Sequence, residues 1–265
     1  MKQVQLSAIN IYPMKSAAAN SLESAVITET GVHGDRIFLV TDLHGKFITG
    51  RTKSKLVLVQ IENAANGFIF NAPAMPSLIV SKAQFSQQYK NIQVWQDKFQ
   101  AQYCTAELDQ WISQYLNLPC QILYLGEESN RTLDHYNTSL SFADGYPLLL
   151  TNEASLTELN QRLSKEVSMA QFRANIVVSG ALAFAEDDWH QIKIGNVIFE
   201  LAKPCSRCIF INVNPNSATR DKNGEPLKTL STYRTSENGD VNFGQNLVAL
   251  NKGTITVNDT VTIIK

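Results

Sequence analysis

The chain has 265 residues, 44% of them hydrophobic and 18% charged, with 23 Lys and Arg against 24 Asp and Glu for a formal charge of −1. That balance excludes a broad nucleic-acid footprint or a polybasic membrane patch, and it makes each cation beside an apolar run worth explaining. The length suffices for one large or two small cores. No stretch approaches the roughly 18–20 apolar residues of a membrane span, and the start, Met1-Lys2-Gln3-Val4, lacks the apolar centre of a secretion signal, so a cytoplasmic protein without a membrane segment is expected.

Val4, Leu6 and Ala8 alternate with polar residues, and the runs 37–40, 56–59, 68–70 and 78–80 are short and β-favouring between turn residues. The first hundred residues therefore predict an all-β module, with Asp42-Leu43-His44-Gly45 as a hairpin turn. The period then changes. Leu108, Trp111, Ile112, Tyr115 and Leu116 share one face of a helix capped by Thr105 and closed by Pro119. Residues 126–145, including Glu127-Glu128 and Asp134-His135-Tyr136, show little periodicity and suit a long loop or module boundary. A second helix is predicted over 152–165, where Ser155 to Glu158 resembles a capping box. Strands follow at 176–178, at 192–194 and 197–199 around a Gly195-Asn196 turn, at 209–211, and on both sides of Asn258-Asp259. The pattern predicts a mainly β protein with a few helices, divided into modules 1–120 and 121–265. Without βαβ alternation or a Gly-rich phosphate loop, a parallel dinucleotide-binding sheet is not expected.

Four cysteines are too few for a disulfide scaffold, and two of them form Pro204-Cys205-Ser206-Arg207-Cys208. The neighbouring Lys203 and Arg207 are cations of the kind that stabilise a thiolate, so a metal ligand or nucleophile is one reading. A zinc site would need more ligands than the distant Cys104 and Cys120 supply in pattern. A thioredoxin-like dithiol would be expected to open a helix, and two buried turn cysteines remain the plainest alternative. Spacing alone leaves these open. Elsewhere Lys15-Ser16, Arg36, Arg51 and Arg173, the last two residues before Asn175, sit at loop–strand junctions where side chains can point into a cleft and bind a phosphate-bearing ligand.

In order along the chain, Ile11-Tyr12-Pro13-Met14-Lys15-Ser16, Gly34-Asp35-Arg36, Thr49-Gly50-Arg51, Phe172-Arg173-Ala174-Asn175, Ala185-Glu186-Asp187-Asp188-Trp189 and Lys203-Pro204-Cys205-Ser206-Arg207-Cys208 resemble the MOSC proteins. The match is to the subgroup with an N-terminal β-barrel module, similar to bacterial YcbX and the mitochondrial amidoxime-reducing components. The resemblance implies a β-barrel-type MOSC core preceded by a β-rich module, and a molybdenum cofactor of the molybdopterin type. It carries the metal ligand to Cys208, the cofactor contacts to Lys15, Ser16, Arg36, Arg51, Arg173 and Asn175, and an acid close to the metal, a candidate proton relay, to Asp144.

The activity so implied is two-electron reduction of hydroxylamines, amidoximes and similar N-hydroxylated small molecules. The four cysteines do not follow plant-type cluster spacing, so the expected electron source is a separate ferredoxin- or flavoprotein-type partner. A sulfur or cofactor carrier acting through Cys208 is the alternative. Cys208→Ala is expected to remove the metal ligand and abolish reduction; normal turnover by that variant in a steady-state assay would overturn the assignment.

Overall fold

The computed structural model describes residues 3–127 and 129–265, so Met1, Lys2 and Glu128 of the predicted loop lie outside the described residues. Strands dominate, and among the described residues three α-helices interrupt them: α1 (Ala106–Leu116), α2 (Glu153–Arg162) and α3 (Leu227–Ser231). The largest sheet has eight strands in the spatial order Asn20–Leu22, Gln5–Ile11, Ile176–Ser179, Leu148–Asn152, Asn242–Ala249, Val197–Ser206, Gln191–Ile194 and Val261–Ile263. Its neighbours are antiparallel except Leu148–Asn152 and Ile176–Ser179, a parallel pair that uses α2 in the crossover such pairs require.

The expected barrel is not closed among the described residues: the ladder ends at Asn20–Leu22 and Val261–Ile263. A short seam of backbone hydrogen bonds, Leu6 N–H to the Asp259 carbonyl and Val261 N–H to the Val4 carbonyl, draws the first strand towards the last. Asn258, in a left-handed turn conformation (φ 75°), adds its N–H to the Leu6 carbonyl at 2.8 Å at one end of this seam.

Hydrogen bonding also crosses the expected boundary at residue 120. Gln5–Ile11 pairs with Ile176–Ser179, and Ser24–Thr28 pairs with Gly253–Thr256. The intervening chain forms a four-stranded sheet, ordered Phe38–Thr41, Gln121–Tyr124, Asp97–Tyr103 and Tyr89–Val94, and a three-stranded one over Gln60–Ala64, Gly67–Asn71 and Leu78–Ser81. Their shared core centres on Phe38, whose ring meets those of Phe68 at 4.8 Å, Phe70 at 5.3 Å and Tyr124 at 5.3 Å. Against it α1 buries the five residues its periodicity selects, and Thr105 caps it by accepting from the Leu108 N–H at 3.2 Å.

Three local expectations change. The run 56–59 lies largely in a 3-10 helix, Ser54–Leu58, because an apolar run without alternation is as compatible with a buried turn as with a strand. Residues 209–211 likewise form a 3-10 helix, Ile209–Asn212. Helix α2 is capped by Asn152, which accepts from the Ala154 N–H at 3.0 Å; Ser155 instead donates to the buried Glu186 carboxylate at 2.8 Å. Phe38→Ala should cost about 3–5 kcal/mol of stability, since a fully buried ring ringed by aromatics leaves a cavity that cannot collapse. Urea denaturation checks this, and a loss below about 1 kcal/mol would contradict the packing.

Candidate functional site

Lys15, Ser16, Arg36, Arg51, Asp144, Arg173, Asn175 and Cys208 all line one cleft of about 380 Å³. Six cationic side chains border it, the further two being Lys203 and Arg207, against the single carboxylate of Asp144. On a chain of formal charge −1 this is a concentrated positive region.

The cleft is built where the first strand of the chain meets Ile176–Ser179. Here Asp35 is buried and accepts the Tyr12 N–H at 2.8 Å, and Arg36 Nη1 donates both to Asp35 Oδ2 and, at 2.9 Å, to Asn175 Oδ1. Arg36 Nη2 continues to the Arg173 carbonyl at 3.1 Å. Burial pushes the Asp35 carboxyl up, while the Arg36 guanidinium and the Tyr12 amide pull it back. The Tyr12 ring packs against both guanidiniums, 4.6 Å from Arg36 and 4.1 Å from Arg173, and burial raises its hydroxyl so that it stays neutral. The Asn175 amide is spent on protein partners, the Asn10 carbonyl at 3.1 Å, the Leu149 N–H at 3.2 Å and Arg36. From the cleft wall it therefore holds Arg36 in place.

Two guanidiniums keep donors in reserve. Arg173 Nη1 donates to the Ala17 carbonyl at 2.6 Å, yet its Nη2 is buried with no hydrogen-bond partner among the described residues. Arg207 donates to the Phe172 carbonyl at 2.6 Å and lies 2.9 Å from Cys205 Sγ, with Nε likewise buried and unpartnered. Burial presses the Arg173 guanidinium down to about 10, still far above neutrality. Backbone strain gathers here too. Ser16 (φ 70°), Arg36 (φ 50°), Trp95 (φ 56°) and Arg173 (φ 59°) are all left-handed, each at a cost on the order of 1 kcal/mol or more.

At the mouth, Lys15 Nζ is buried and donates to the Phe142 carbonyl and to Asp144 Oδ1, both at 2.7 Å. Trp95 Nε1 reaches the same carboxylate oxygen at 2.8 Å, and Arg51 stacks 4.1 Å from the Trp95 ring. Burial of the surroundings pushes the Asp144 carboxyl up, but the Lys15 ammonium and the hydrogen bonds from Lys15 and Trp95 outweigh it and hold the group well below the usual carboxylate range. The carboxylate itself still opens to solvent, with 75% of its side chain exposed. Burial lowers Lys15 from its ordinary value and Asp144 opposes that.

Cys205 lies within the strand Val197–Ser206, not in a turn, and register shifts at 201/203 and 204/206 bend that strand beside the cleft. Cys208 follows, exposed, at the start of the 3-10 helix. Gly50 lets the 49–51 turn close on Phe210, since a Cβ there would fall 2.2 Å from the ring. Cys104 and Cys120 are buried in the Phe38 core, where burial raises both thiols.

The sequence reading gives no role to Trp95 or Arg131. Trp95 had a legible signal, a large aromatic in the two-residue link between Tyr89–Val94 and Asp97–Tyr103. Arg131 sits in an aperiodic stretch and had none.

Residues 3–119 match the MOSC N-terminal beta barrel domain and residues 137–262 the MOSC domain. Mitochondrial amidoxime reducing component 2 of Bos taurus is 34% identical over 243 residues, covering 86% of this chain and 72% of that protein. Mitochondrial amidoxime-reducing component 1 of Homo sapiens is 30% identical over 274 residues, covering 96% and 81%. Among solved structures, the YUAD protein from Bacillus subtilis aligns with 98% of this chain and 97% of its own at a TM-score of 0.41 and 10% identity. No helix among the described residues is long and apolar enough to cross a membrane. With both domains matched in order and relatives of this similarity along most of its length, the chain belongs to the MOSC family, in the group that carries the N-terminal domain and includes the amidoxime-reducing components.

Proposed function

We propose that the protein is a molybdenum-cofactor-dependent reductase of N-hydroxylated compounds. The observation that carries the reading is the pair of buried, unpartnered guanidinium N–H groups, Arg173 Nη2 and Arg207 Nε, in a cation-lined cleft that also presents the Cys208 thiol. Those donors fit an anionic, hydrogen-bonding ligand, and an exposed thiol fits a soft metal. When bound, the cofactor supplies two-electron removal of oxygen from an N–OH group.

In this reading Cys208 holds the metal through its thiolate. Arg173 and Arg207 bind the pterin and its phosphate through their free donors, with Lys15, Ser16, Arg36 and Arg51 completing the anion site. Asn175 acts by fixing Arg36. The state of Asp144 argues for orientation over proton delivery. Its Oδ1 is taken by Lys15 and Trp95, its Oδ2 has no protein donor among the described residues, and its depressed pKa keeps it an acceptor. It therefore accepts a hydrogen bond from the N–H or O–H of an amidoxime or hydroxylamine and turns the N–OH group inward, while protons enter from the open mouth. Electrons come from a separate redox protein of ferredoxin or flavoprotein type, a reading supported by the burial of Cys104 and Cys120 apart from the cleft.

The 2.9 Å contact of Arg207 with Cys205 Sγ favours a second reading, a sulfur carrier, because a guanidinium beside sulfur stabilises thiolate or persulfide. Protein made in a host that synthesises the cofactor separates the two. Stoichiometric molybdenum and pterin, with hydroxylamine reduction under a supplied donor, is expected. Persulfide on Cys208 or Cys205 without molybdenum would overturn the enzyme reading.

The Asp144 ion pair also sets a pH response. A carboxyl with a depressed folded pKa keeps its contribution above the unfolded value of about 3.9 and loses it only as pH falls through the lower folded value. Trp95 emission, isolated as the difference from Trp95→Phe, should stay flat from neutrality to about pH 4 and change below it. A midpoint above about pH 5 would contradict the pairing.

A further inference from the structure

Arg131 is buried, and it does not line the cleft. Its guanidinium nevertheless spends four hydrogen bonds next to it. Nε donates to Asp97 Oδ2 at 2.7 Å, Nη1 to the carbonyls of Ser141, at 3.1 Å, and Ala143, and Nη2 to the Asp144 carbonyl at 2.8 Å. The carbonyl between them, that of Phe142, goes to Lys15. Every carbonyl from Ser141 to Asp144 is thus claimed by one of two buried cations.

The other end of this arrangement is the hairpin of Tyr89–Val94 and Asp97–Tyr103. Asp97 begins its second strand, and Trp95 stands at its tip. The hairpin and the 141–144 loop therefore meet through two polar contacts, Asp97 with Arg131 and Trp95 with Asp144, and through the Phe99 ring, 5.9 Å from that of Phe142. Only the second lies in the cleft. Phe99, on the same hairpin, places its ring 5.8 Å from the Arg131 guanidinium, which fixes the plane of the fork.

We propose that Arg131 is the positioning residue of the cleft mouth: by clamping three carbonyls of the 141–144 loop to Asp97, it sets where the Asp144 carboxylate and the Trp95 indole meet a substrate. A planar fork with diverging donors is needed, which a lysine ammonium does not reproduce. The kinetic half of this inference rests on the reductase reading given above; the structural half does not.

The test uses full-length, cofactor-loaded protein carrying Arg131→Gln, Arg131→Lys, Asp144→Asn and the Arg131→Gln/Asp144→Asn pair. Arg131→Gln should lower kcat/KM about 10- to 100-fold, with Arg131→Lys rescuing only part of it. Added to Asp144→Asn it should cost far less, because both changes act on one group. Acrylamide quenching of the Trp95 emission, again taken against Trp95→Phe, should rise in Arg131→Gln. Should that variant fail to fold, Asp97→Asn is expected to raise the same quenching. Multiplying kinetic losses in the double variant, or unchanged Trp95 quenching in Arg131→Gln or, in its place, Asp97→Asn, would overturn the proposal. Absence of turnover in the unsubstituted protein would instead count against the reductase reading, and the quenching would still decide the role of Arg131.

Discussion

The arrangement depends on one buried ion pair, Asp35 with Arg36. Two charges removed from water are stable only if further hydrogen bonds complete them, and breaking such a pair by removing one partner typically costs about 3–5 kcal/mol. Here the completing groups come from separated parts of the chain: the Tyr12 amide after the first strand, and the Asn175 side chain and Arg173 carbonyl before Ile176–Ser179. Satisfying the pair therefore brings those segments together. Lys15 and Ser16 on one side and Arg173 on the other are carried into one cleft as a consequence.

That geometry explains why strain collects where it does. Left-handed backbone at Ser16, Arg36 and Arg173 is unfavourable for residues with a Cβ, and nothing in their side chains relieves it locally. It is tolerated because the surrounding hydrogen bonds over-determine each position. The same logic covers the unpartnered Arg173 Nη2 and Arg207 Nε. A fold that satisfies Arg36 so fully while leaving two neighbouring guanidinium donors unmet is the arrangement that the proposed anionic ligand calls for.

Much of this was legible in the residues, for reasons that differ by element. Helix α1 could be read from period and cap because both signals are local, as could the turn at Asp42, where Gly45 donates to the Asp42 carbonyl at 3.1 Å. The 3-10 helices at Ser54–Leu58 and Ile209–Asn212 could not, since short apolar runs carry no period. Seven of the eight named cleft residues lie in the ordered motifs and Asp144 follows from the family resemblance outside them, but no local pattern says that Lys15, Arg51 and Arg173 converge. The Asn152 cap of α2 was missed because Ser155 offers the same capping chemistry, and its hydroxyl is drawn instead to Glu186, a partner 31 residues away. Arg131 was invisible because its partners are mostly backbone carbonyls, and any sequence provides those.

The near-neutral composition takes on a different meaning once charges are placed. Only a few cations line the cleft, but several are buried or half-buried, where screening is weak and each counts for more than a solvated surface lysine. Lys15 illustrates the balance: burial lowers its pKa, Asp144 opposes that, and the loop carbonyl of Phe142 supplies a second acceptor. One acid supplies that lysine with its ion-pair partner at 2.7 Å, while a second facing the cleft would begin to cancel the field that an anionic ligand needs. The single carboxylate among six cations is therefore the composition that the proposed anionic ligand would require, and its position at the mouth leaves the interior of the cleft cationic.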